Sequence, residues 1–323
     1  MRAAIASLAG AMAVLTSAAG AAAQIAPPLG VPAAPPPAAS PTPPLTPAPA
    51  ADAPPESLKM AADPTSRLTL AVMIDGRGPF DFLVDTGSDR TVISRELAAS
   101  LALPAGPPVR LRESMGVDDA NTVLIDRLVI GKRVIRHIEA PALAAKDLGA
   151  AGMLGVDALR DLHVVMDFRT MRMSSSPSRA EAADPHTIVV HGKNHFGQLI
   201  LTHSRIRGVP IVVVVDSGAQ LSVGNPALLS LLTRRVAGHD PAATTQIVSV
   251  TGRTVTVELD DVAEADVGGL VIHHMPLGFA PLAIFGHLGL ADTPALFLGM
   301  DVLSQCQRVS VDMRRREATF TLN

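Results

Sequence analysis

One short phrase occurs twice in this chain of 323 residues, and its repetition constrains the fold more than any other feature. An apolar, strand-like run ends in Asp85-Thr86-Gly87-Ser88 in the first half and in Asp216-Ser217-Gly218-Ala219 in the second. A short helix is predicted after each phrase, with Ser94 as N-cap in the first half and Asn225-Pro226 at the start in the second. Landmarks that match in kind and order indicate an internal repeat, and therefore two similar lobes.

Two further pairs of landmarks support the repeat. Each half has a polar stretch inside strand-like sequence, around Gly116 and around Gly252, that predicts a hairpin with a mobile tip. Each half also has an apolar-Gly-apolar-Asp element, around Gly155 and around Gly299. The β-branched runs between these landmarks favour strands. We therefore predict an all-β protein with a few short helices and two lobes, residues 65–177 and 186–323.

The N-terminal segment is typical of an exported protein. Arg2 precedes an uncharged, Ala-rich stretch that ends in Ala21-Ala22-Ala23, so residues 1–23 are predicted to be a signal peptide cleaved after Ala23. An uncleaved membrane anchor is the alternative, because the stretch is long enough to span. Residues 24–64 are rich in Pro and Ala, which predicts a disordered, extended linker. The expected location is the periplasm or the outside of the cell.

Composition excludes several other classes of function. The net charge of −3 provides no broad basic surface, which argues against nucleic acid as a partner. Cys306 is the single cysteine, so we expect no intrachain disulfide or Cys-rich metal site, and we expect Cys306 to be buried in the core. His191, His195 and His203 lie close in sequence, but their spacing in strand and loop sequence favours surface histidines over a metal site.

Two aspartates at the ends of matched strands predict a specific chemistry. If the repeat brings Asp85 and Asp216 together around a two-fold axis, the two carboxyls cannot both ionise easily and hold one proton between them. One carboxylate can then activate a water as general base, while the protonated partner polarises a carbonyl group. This division of labour is suited to hydrolysis of a peptide bond.

On these residues the chain resembles the retropepsin-like aspartic proteases, over residues 65 to 323. The resemblance implies two closed β-barrel lobes related by a pseudo-two-fold axis, with Asp85 and Asp216 as the catalytic dyad. It also implies two hairpin flaps over the substrate. The residues that it assigns to support of the dyad are Thr86, Gly87, Ser88, Ser217 and Gly218. Those that it assigns to the flaps and substrate binding are Ser114, Met115, Gly116, Val250, Thr251 and Gly252.

The chain departs from the family pattern in two respects. Both lobes lie in one chain, so we expect a monomer rather than the usual homodimer, and the absence of tyrosine excludes a flap tyrosine. The fourth motif position is Ser88 in one lobe and Ala219 in the other. A Ser88 hydroxyl that donates to Asp85 would favour the ionised form of that carboxyl. This interpretation predicts the negative charge on Asp85 and the proton on Asp216.

Two functions fit these observations. The first is an aspartic endopeptidase that cleaves extended peptide or protein substrates without a metal or another cofactor. The second is a peptide-binding protein that captures strands under the flaps and does not hydrolyse them. Simple capture does not require the second carboxylate, which favours the enzyme. Neither function involves nucleic acid, and membrane contact is expected only if the N-terminal segment is retained.

Overall fold

The structure of the protein is a computed structural model that describes residues 14–16, 56–62, 67–159, 162–178, 186–195, 198–233 and 243–322. Apart from residues 14–16, the predicted signal peptide lies outside the described residues, as does the predicted linker up to residue 55. No helix of the described part is long and apolar enough to cross a membrane. Among the described residues, strands predominate and the helices are short.

The first half of the chain contains twelve strands and three helices within the described ranges. The strands are β1 (Val14–Thr16), β2 (Glu56–Ala62), β3 (Leu68–Ile74), β4 (Arg77–Val84), β5 (Val92–Ser94), β6 (Val109–Glu113), β7 (Gly116–Ala120), β8 (Thr122–Ile130), β9 (Arg133–Leu143), β10 (Gly152–Leu154), β11 (Leu162–Asp167) and β12 (Arg172–Pro177). The helices are α1 (Arg95–Ser100), α2 (Ala145–Leu148) and α3 (Val156–Leu159).

The second half repeats this order with ten strands and three helices among the described residues. The strands are β13 (Thr187–His195), β14 (Gln198–Ile206), β15 (Val209–Val215), β16 (Val223–Gly224), β17 (Ala243–Val248), β18 (Thr254–Val267), β19 (Leu270–Phe279), β20 (Ala295–Leu298), β21 (Arg308–Asp312) and β22 (Glu317–Thr321). The helices are α4 (Pro226–Thr233), α5 (Ala283–His287) and α6 (Met300–Leu303).

Each lobe is built on a closed barrel of six strands. In the first lobe the strands pair in the ring β3, β4, β10, β5, β9, β8 and back to β3. In the second lobe the ring is β14, β15, β20, β16, β19, β18 and back to β14. The same pairs are parallel in both rings, β4 with β10 and β15 with β20 among them. The predicted all-β fold with two closed barrels is therefore confirmed.

A six-stranded antiparallel sheet joins the two barrels. Its strand order is β2, β12, β11, β21, β22, β13, and the two lobes meet where β11 pairs with β21. Strand β2 corrects one predicted boundary, because Glu56–Ala62 lies within the segment that was expected to be a disordered linker to residue 64. The sequence of this segment has only a weak alternation of polar and apolar residues. Its pairing with β12 and β3 is what makes it a strand.

Aliphatic side chains fill the barrels, and the strands that lead to the two aspartates are buried on both faces. Phe82, Leu83 and Val84 in β4 are 0% exposed, as are Val213, Val214 and Val215 in β15. Such continuous apolar runs are typical of strands with parallel neighbours. Because packed side chains surround both runs, the residue that follows each run has a rigid support.

The structure confirms the predicted helix starts. Ser94 Oγ accepts a hydrogen bond of 3.1 Å from the Leu97 N–H at the start of α1. Asn225 Oδ1 accepts one of 2.9 Å from the Leu228 N–H at the start of α4, where Pro226 is the first residue. Both helices follow the Asp-containing loops at equivalent positions, so the repeat read from the sequence is also a repeat in space. The single cysteine, Cys306, is buried as predicted.

Candidate active site

The two Asp-Thr/Ser-Gly loops meet through four buried hydrogen bonds between the lobes. Thr86 Oγ1 donates to the carbonyl oxygen of Val215 at 3.2 Å and accepts from the Ser217 N–H at 3.1 Å. Ser217 Oγ donates to the carbonyl oxygen of Val84 at 2.9 Å and accepts from the Thr86 N–H at 3.1 Å. The two loops exchange the same set of bonds in both directions. They are therefore related by a pseudo-two-fold axis that passes between them.

This arrangement brings Asp85 and Asp216 into contact. Asp85 is 0% exposed and Asp216 is 2% exposed, and each carboxyl lies against the loop that carries the other. A Cβ atom on Gly218 would lie 2.4 Å from Cγ of Asp85, and one on Gly87 would lie 2.7 Å from Cγ of Asp216. Real Cβ contacts are never this short, so only glycine permits each carboxyl to lie against the opposite loop.

The two carboxyls differ in their surroundings. Burial, followed by the charge of Asp216, raises the pKa of Asp85 well above its ordinary value, against one N–H donor, that of Gly87 at 2.7 Å. Burial also raises the pKa of Asp216, to about 6. Two N–H groups oppose that rise, from Gly218 at 3.0 Å and Ala219 at 3.2 Å. Because Asp216 accepts more hydrogen bonds, the charged form is better stabilised there, and Asp85 retains the shared proton.

This result reverses the predicted division between the two aspartates. The Ser88 hydroxyl was expected to donate to Asp85, but it donates to the carbonyl oxygen of Arg90 at 2.8 Å. The residue at the equivalent position, Ala219, contributes its backbone N–H to Asp216 instead. The asymmetry read from the sequence at this position is real, but it acts through backbone geometry that side-chain identity does not reveal.

A second matched set of hydrogen bonds supports each loop. The carboxylate of Asp157 accepts from the Thr91 hydroxyl at 2.7 Å and from the Thr91 N–H at 3.0 Å. In the second lobe Asp301 accepts from the Ser222 hydroxyl at 2.7 Å and from the Ser222 N–H at 2.9 Å. These carboxylates belong to the apolar-Gly-apolar-Asp elements, to which the sequence analysis gave no role. They tie the strand after each Asp loop to a short helix.

The first flap, residues 109–120, is the hairpin of β6 and β7, and its tip extends onto the second lobe. Met115 packs against an apolar cluster of that lobe that includes Val214 and Phe285. The carbonyl oxygen of Ser114 accepts a hydrogen bond of 3.3 Å from the Ile284 N–H in α5. The predicted flap residues Ser114 and Met115 therefore form the tip.

The second flap, residues 243–257, extends onto the first lobe in the same way. Val250 is 0% exposed and packs in a cluster with Leu83, Leu111 and Leu148. Gly252 has φ +85°, and a Cβ atom there would lie 3.0 Å from Oδ2 of Asp147 in α2. Each flap tip thus covers the apolar surface of the opposite lobe, next to the strand that leads to the aspartate.

An ion pair joins the two flaps. The guanidinium of Arg253 donates to both carboxylate oxygens of Asp118, at 2.9 and 2.6 Å, and its Nε lies 3.6 Å from Oε1 of Glu113. Gly116 lies beside this group, and a Cβ atom there would make an ordinary contact with Cζ of Arg253 at 3.4 Å. Thr251, predicted as a flap residue, lies in the same tip, where its hydroxyl is 3.1 Å from Oγ of Ser249. These contacts hold the flaps against each other in the closed position.

Removal of the guanidinium is expected to loosen both flaps. Arg253→Met keeps the apolar stem and deletes both hydrogen bonds to Asp118. Because Arg253 is 47% exposed at its side chain, the effect is modest, about a threefold to tenfold faster amide hydrogen exchange in residues 109–120 and 243–257. Exchange monitored by mass spectrometry measures this rate without any substrate.

A matched control is available in another hairpin. Arg315 forms an equivalent two-bond pair with Glu317, at 2.8 and 3.0 Å, so Arg315→Met removes a similar charge at a distance from the flaps. Asp118→Asn should reproduce the faster exchange of the Arg253 variant. Equal exchange in the flaps of wild type and Arg253→Met would show that the ion pair does not hold them.

The histidines that the sequence analysis considered for a metal site are placed in strands. His191 pairs with Glu317 at 3.4 Å on the surface, and His195 and His203 lie in β13 and β14. Within the described ranges, no group of three or more His, Cys, Asp or Glu side chains comes together in a way that could hold a metal ion.

Two buried polar residues near the dyad were missed by the sequence analysis. Arg67 is 1% exposed and donates from Nη2 to the carbonyl oxygen of Leu148 at 2.9 Å. Gln198 is 0% exposed and donates from Nε2 to the carbonyl oxygen of Gly87 at 3.1 Å. Each stands eighteen residues before the aspartate of its own lobe, which is a spacing that comparison of the two repeats could have found.

Comparison with known protein families agrees with this geometry. A family model described as a gag-polyprotein putative aspartyl protease matches residues 70–161, and a model described as an aspartyl protease matches residues 202–302. No curated protein matches the chain. The two family matches cover most of each lobe and, together, more than half of the chain. The chain therefore belongs to the retropepsin-like aspartyl proteases and carries two domains of this family in tandem.

Proposed function

We propose that the protein is an aspartic endopeptidase that hydrolyses peptide bonds with Asp85 and Asp216 as a single dyad. The observation that carries the proposal is the mutual contact of the two buried carboxyls, which are held by the hydrogen-bonded loops of two lobes. A protein that only binds peptides has no need to bury two acidic groups together, because an unpaired buried carboxylate is costly. Hydrolysis of peptide bonds by this chemistry requires such a pair and therefore gives a reason for the two carboxyls to be buried together.

The reaction follows from the different surroundings of the two carboxyls. Asp216 is the carboxylate, and it accepts a proton from a water whose oxygen bonds to the carbonyl carbon of the substrate. Asp85 is protonated, and it donates to the carbonyl oxygen as negative charge develops there. The tetrahedral intermediate then collapses when Asp216 passes its proton to the amide nitrogen. The C–N bond breaks. Asp85 recovers its proton from the hydroxyl group that formed at the carbonyl oxygen, which becomes a carbonyl again.

The substrate is an extended peptide segment, and it enters only when the flaps separate. In the closed structure Met115 and Val250 occupy the apolar surfaces on the two sides of the dyad. When the flaps open, apolar side chains of the substrate can pack on the surfaces that Met115 and Val250 leave. The apolar contacts of these surfaces are then replaced rather than lost. The two carboxyls are the protein groups that give and accept protons in this mechanism.

The pH dependence of cleavage tests the proposed roles. Because burial raises the pKa of Asp216 to about 6, the base is protonated in acid, and kcat/KM is expected to fall as the pH drops below about 6. The second limb lies at higher pH, where Asp85 loses its proton. Measurement on an unfolded protein substrate across this range gives both limbs, which belong to the coupled pair.

Ser88→Ala provides the control for the pH profile. Because the Ser88 hydroxyl donates to Arg90 and not to Asp85, the variant should leave the acidic limb at the wild-type pH. A shift of that limb in Ser88→Ala, or maximal cleavage below pH 4, would contradict the assignment of base and acid. Binding of peptides without cleavage at any pH would favour the second function, peptide capture.

We also propose that the protein acts in the periplasm or outside the cell. The Ala-rich N-terminal segment with its small-residue site supports this location. N-terminal sequencing of the mature protein tests the proposal, and a first residue of Gln24 is expected. An intact N-terminus would indicate a retained membrane anchor instead.

A further inference from the structure

Gln198 lies directly beside one member of the dyad. In the antiparallel pair of β14 and β15, Ile200 is opposite Val214 and Leu201 is opposite Val213. Continuation of this register by two residues sets Gln198 opposite Asp216. Residues that face each other in such a ladder have Cα atoms about 5 Å apart. Gln198 is therefore the first residue of the strand that pairs with the run leading to Asp216.

The side chain of Gln198 nevertheless contacts the other lobe. Its Nε2 atom donates to the carbonyl oxygen of Gly87 at 3.1 Å, and the side chain is completely buried. The N–H of the same glycine donates to Oδ1 of Asp85 at 2.7 Å. Glycine can adopt a wider range of backbone dihedrals than any other residue. A hydrogen bond that fixes the Gly87 carbonyl therefore restricts these dihedrals. The hydrogen bond from Gln198 thus limits the direction of the N–H that orients Asp85.

The equivalent position of the first lobe differs in both residue and contact. Thr69 is opposite Leu83 in the pair of β3 and β4, so the same continuation sets Arg67 opposite Asp85. Arg67 donates to Leu148 within the first lobe. The side chain of Gln198 thus reaches the loop of the other lobe, which carries Asp85.

We propose that Gln198 is a positioning residue for catalysis, because its amide holds the Gly87 backbone and so fixes the orientation of the Asp85 carboxyl. This inference rests on the proposed function in so far as orientation of Asp85 serves peptide hydrolysis. The remaining amide atom, Oε1, is buried without a hydrogen-bond partner among the described residues. A buried amide with a single bond is an unfavourable choice for packing alone, which favours a positioning role.

Gln198→Met tests the proposal, because methionine has nearly the same shape and lacks the N–H donor. For a substrate that wild type cleaves, kcat is expected to fall about tenfold with KM within about twofold, because the lost contact orients a reacting group. The shared titration of the dyad, followed by NMR of ¹³C-labelled aspartate carboxyls without substrate, should also shift by about half a pH unit. Gln305→Leu removes an exposed amide distant from the dyad and is the control.

The outcomes separate a positioning role from a structural one. A Gln198→Met protein that is less stable but has the wild-type kcat and dyad titration would overturn the proposal. If wild type cleaves no peptide and the dyad titration still shifts, the proposed function fails and the orientation of Asp85 by Gln198 stands. If Gln198→Met does not fold, the side-chain amide protons of Gln198 in wild type provide the test. They are expected to exchange far more slowly than those of exposed Gln246, and equally fast exchange would overturn the proposal.

Discussion

Asp85→Asn and Asp216→Asn are each expected to lower kcat/KM for an unfolded protein substrate by about a thousandfold or more. Loss of a general acid or base removes about 10²–10⁴ in rate, and a dyad works as a unit, so either change removes most of its contribution. Asparagine has the shape of aspartate and keeps an oxygen that can accept the loop N–H groups. The loss therefore reports on proton transfer rather than on a collapsed site. Initial rates with purified wild type and both variants measure it.

The same variants supply their own control for folding. The folded-state pKa of each aspartate is raised, so the dyad favours the folded state at pH values below the unfolded pKa, and this stability is lost as the pH rises through the folded pKa. An asparagine does not ionise. At pH 8 each variant is therefore expected to be more stable than wild type by about 2 kcal/mol, and near pH 4 the difference should vanish.

Two results would contradict the dyad. Cleavage by either asparagine variant at a rate close to that of wild type would show that the carboxyl concerned takes no part in the reaction. Variants that are less stable than wild type at pH 8 would show that the two buried carboxyls do not repel each other. A chelator is expected to leave wild-type cleavage unchanged, since the proposed mechanism uses only the two carboxyls.

The double variant Thr86→Val/Ser217→Ala is expected to lower the midpoint of thermal unfolding by about 10 °C or more. It leaves two buried N–H groups and two carbonyl oxygens at the contact of the lobes without their hydroxyl partners. Each unsatisfied group costs about 1–3 kcal/mol, and 1 kcal/mol corresponds to about 2–4 °C in a protein of this size. Cleavage should be lost as well, because the two aspartates are no longer held together.

Single variants and a matched control define this effect. Thr86→Val and Ser217→Ala alone should each cause a smaller loss, and the double-variant cycle should show coupling because the two hydroxyls accept and donate within one network. Thr69→Val is the control, since the Thr69 hydroxyl is buried and bonds to Ala61 within the first half of the chain. Scanning calorimetry measures these four variants and wild type. A double variant as stable as Thr69→Val would show that these four bonds do not join the lobes.

The sequence predicted the architecture well because the chain contains its repeat in readable form. Apolar runs before Asp85 and Asp216, helix starts at Ser94 and Asn225, and apolar-Gly-apolar-Asp elements recur in one order. Local signals of this kind depend on neighbours in the chain, and the structure confirms them. Strand β2 was missed, because its order comes from pairing with the neighbouring β3 and with β12, whose residues are distant in sequence.

The details of the site depend on contacts between distant residues, and several of them could not be predicted. The Ser88 hydroxyl was expected near Asp85, yet the local turn directs it to Arg90. Gln198 and Arg67 have no motif, and only the strand register reveals their position opposite the aspartates. The flap ion pair of Arg253 and Asp118 joins residues of different lobes, so no local pattern could indicate it.

The sequence by itself determined that two Asp-Thr/Ser-Gly loops would be presented by two similar β lobes, because periodicity, caps and turn residues act within short stretches of chain. The tertiary structure alone decided how the loops join, how completely the two carboxyls are buried and where the flap tips lie. Two N–H donors on Asp216, against one on Asp85, favour the charge on Asp216 and the proton on Asp85, the reverse of the sequence-based prediction. Burial raises both pKa values and arises only when the lobes pack together, whereas the N–H groups that oppose the rise belong to the loop of each aspartate itself.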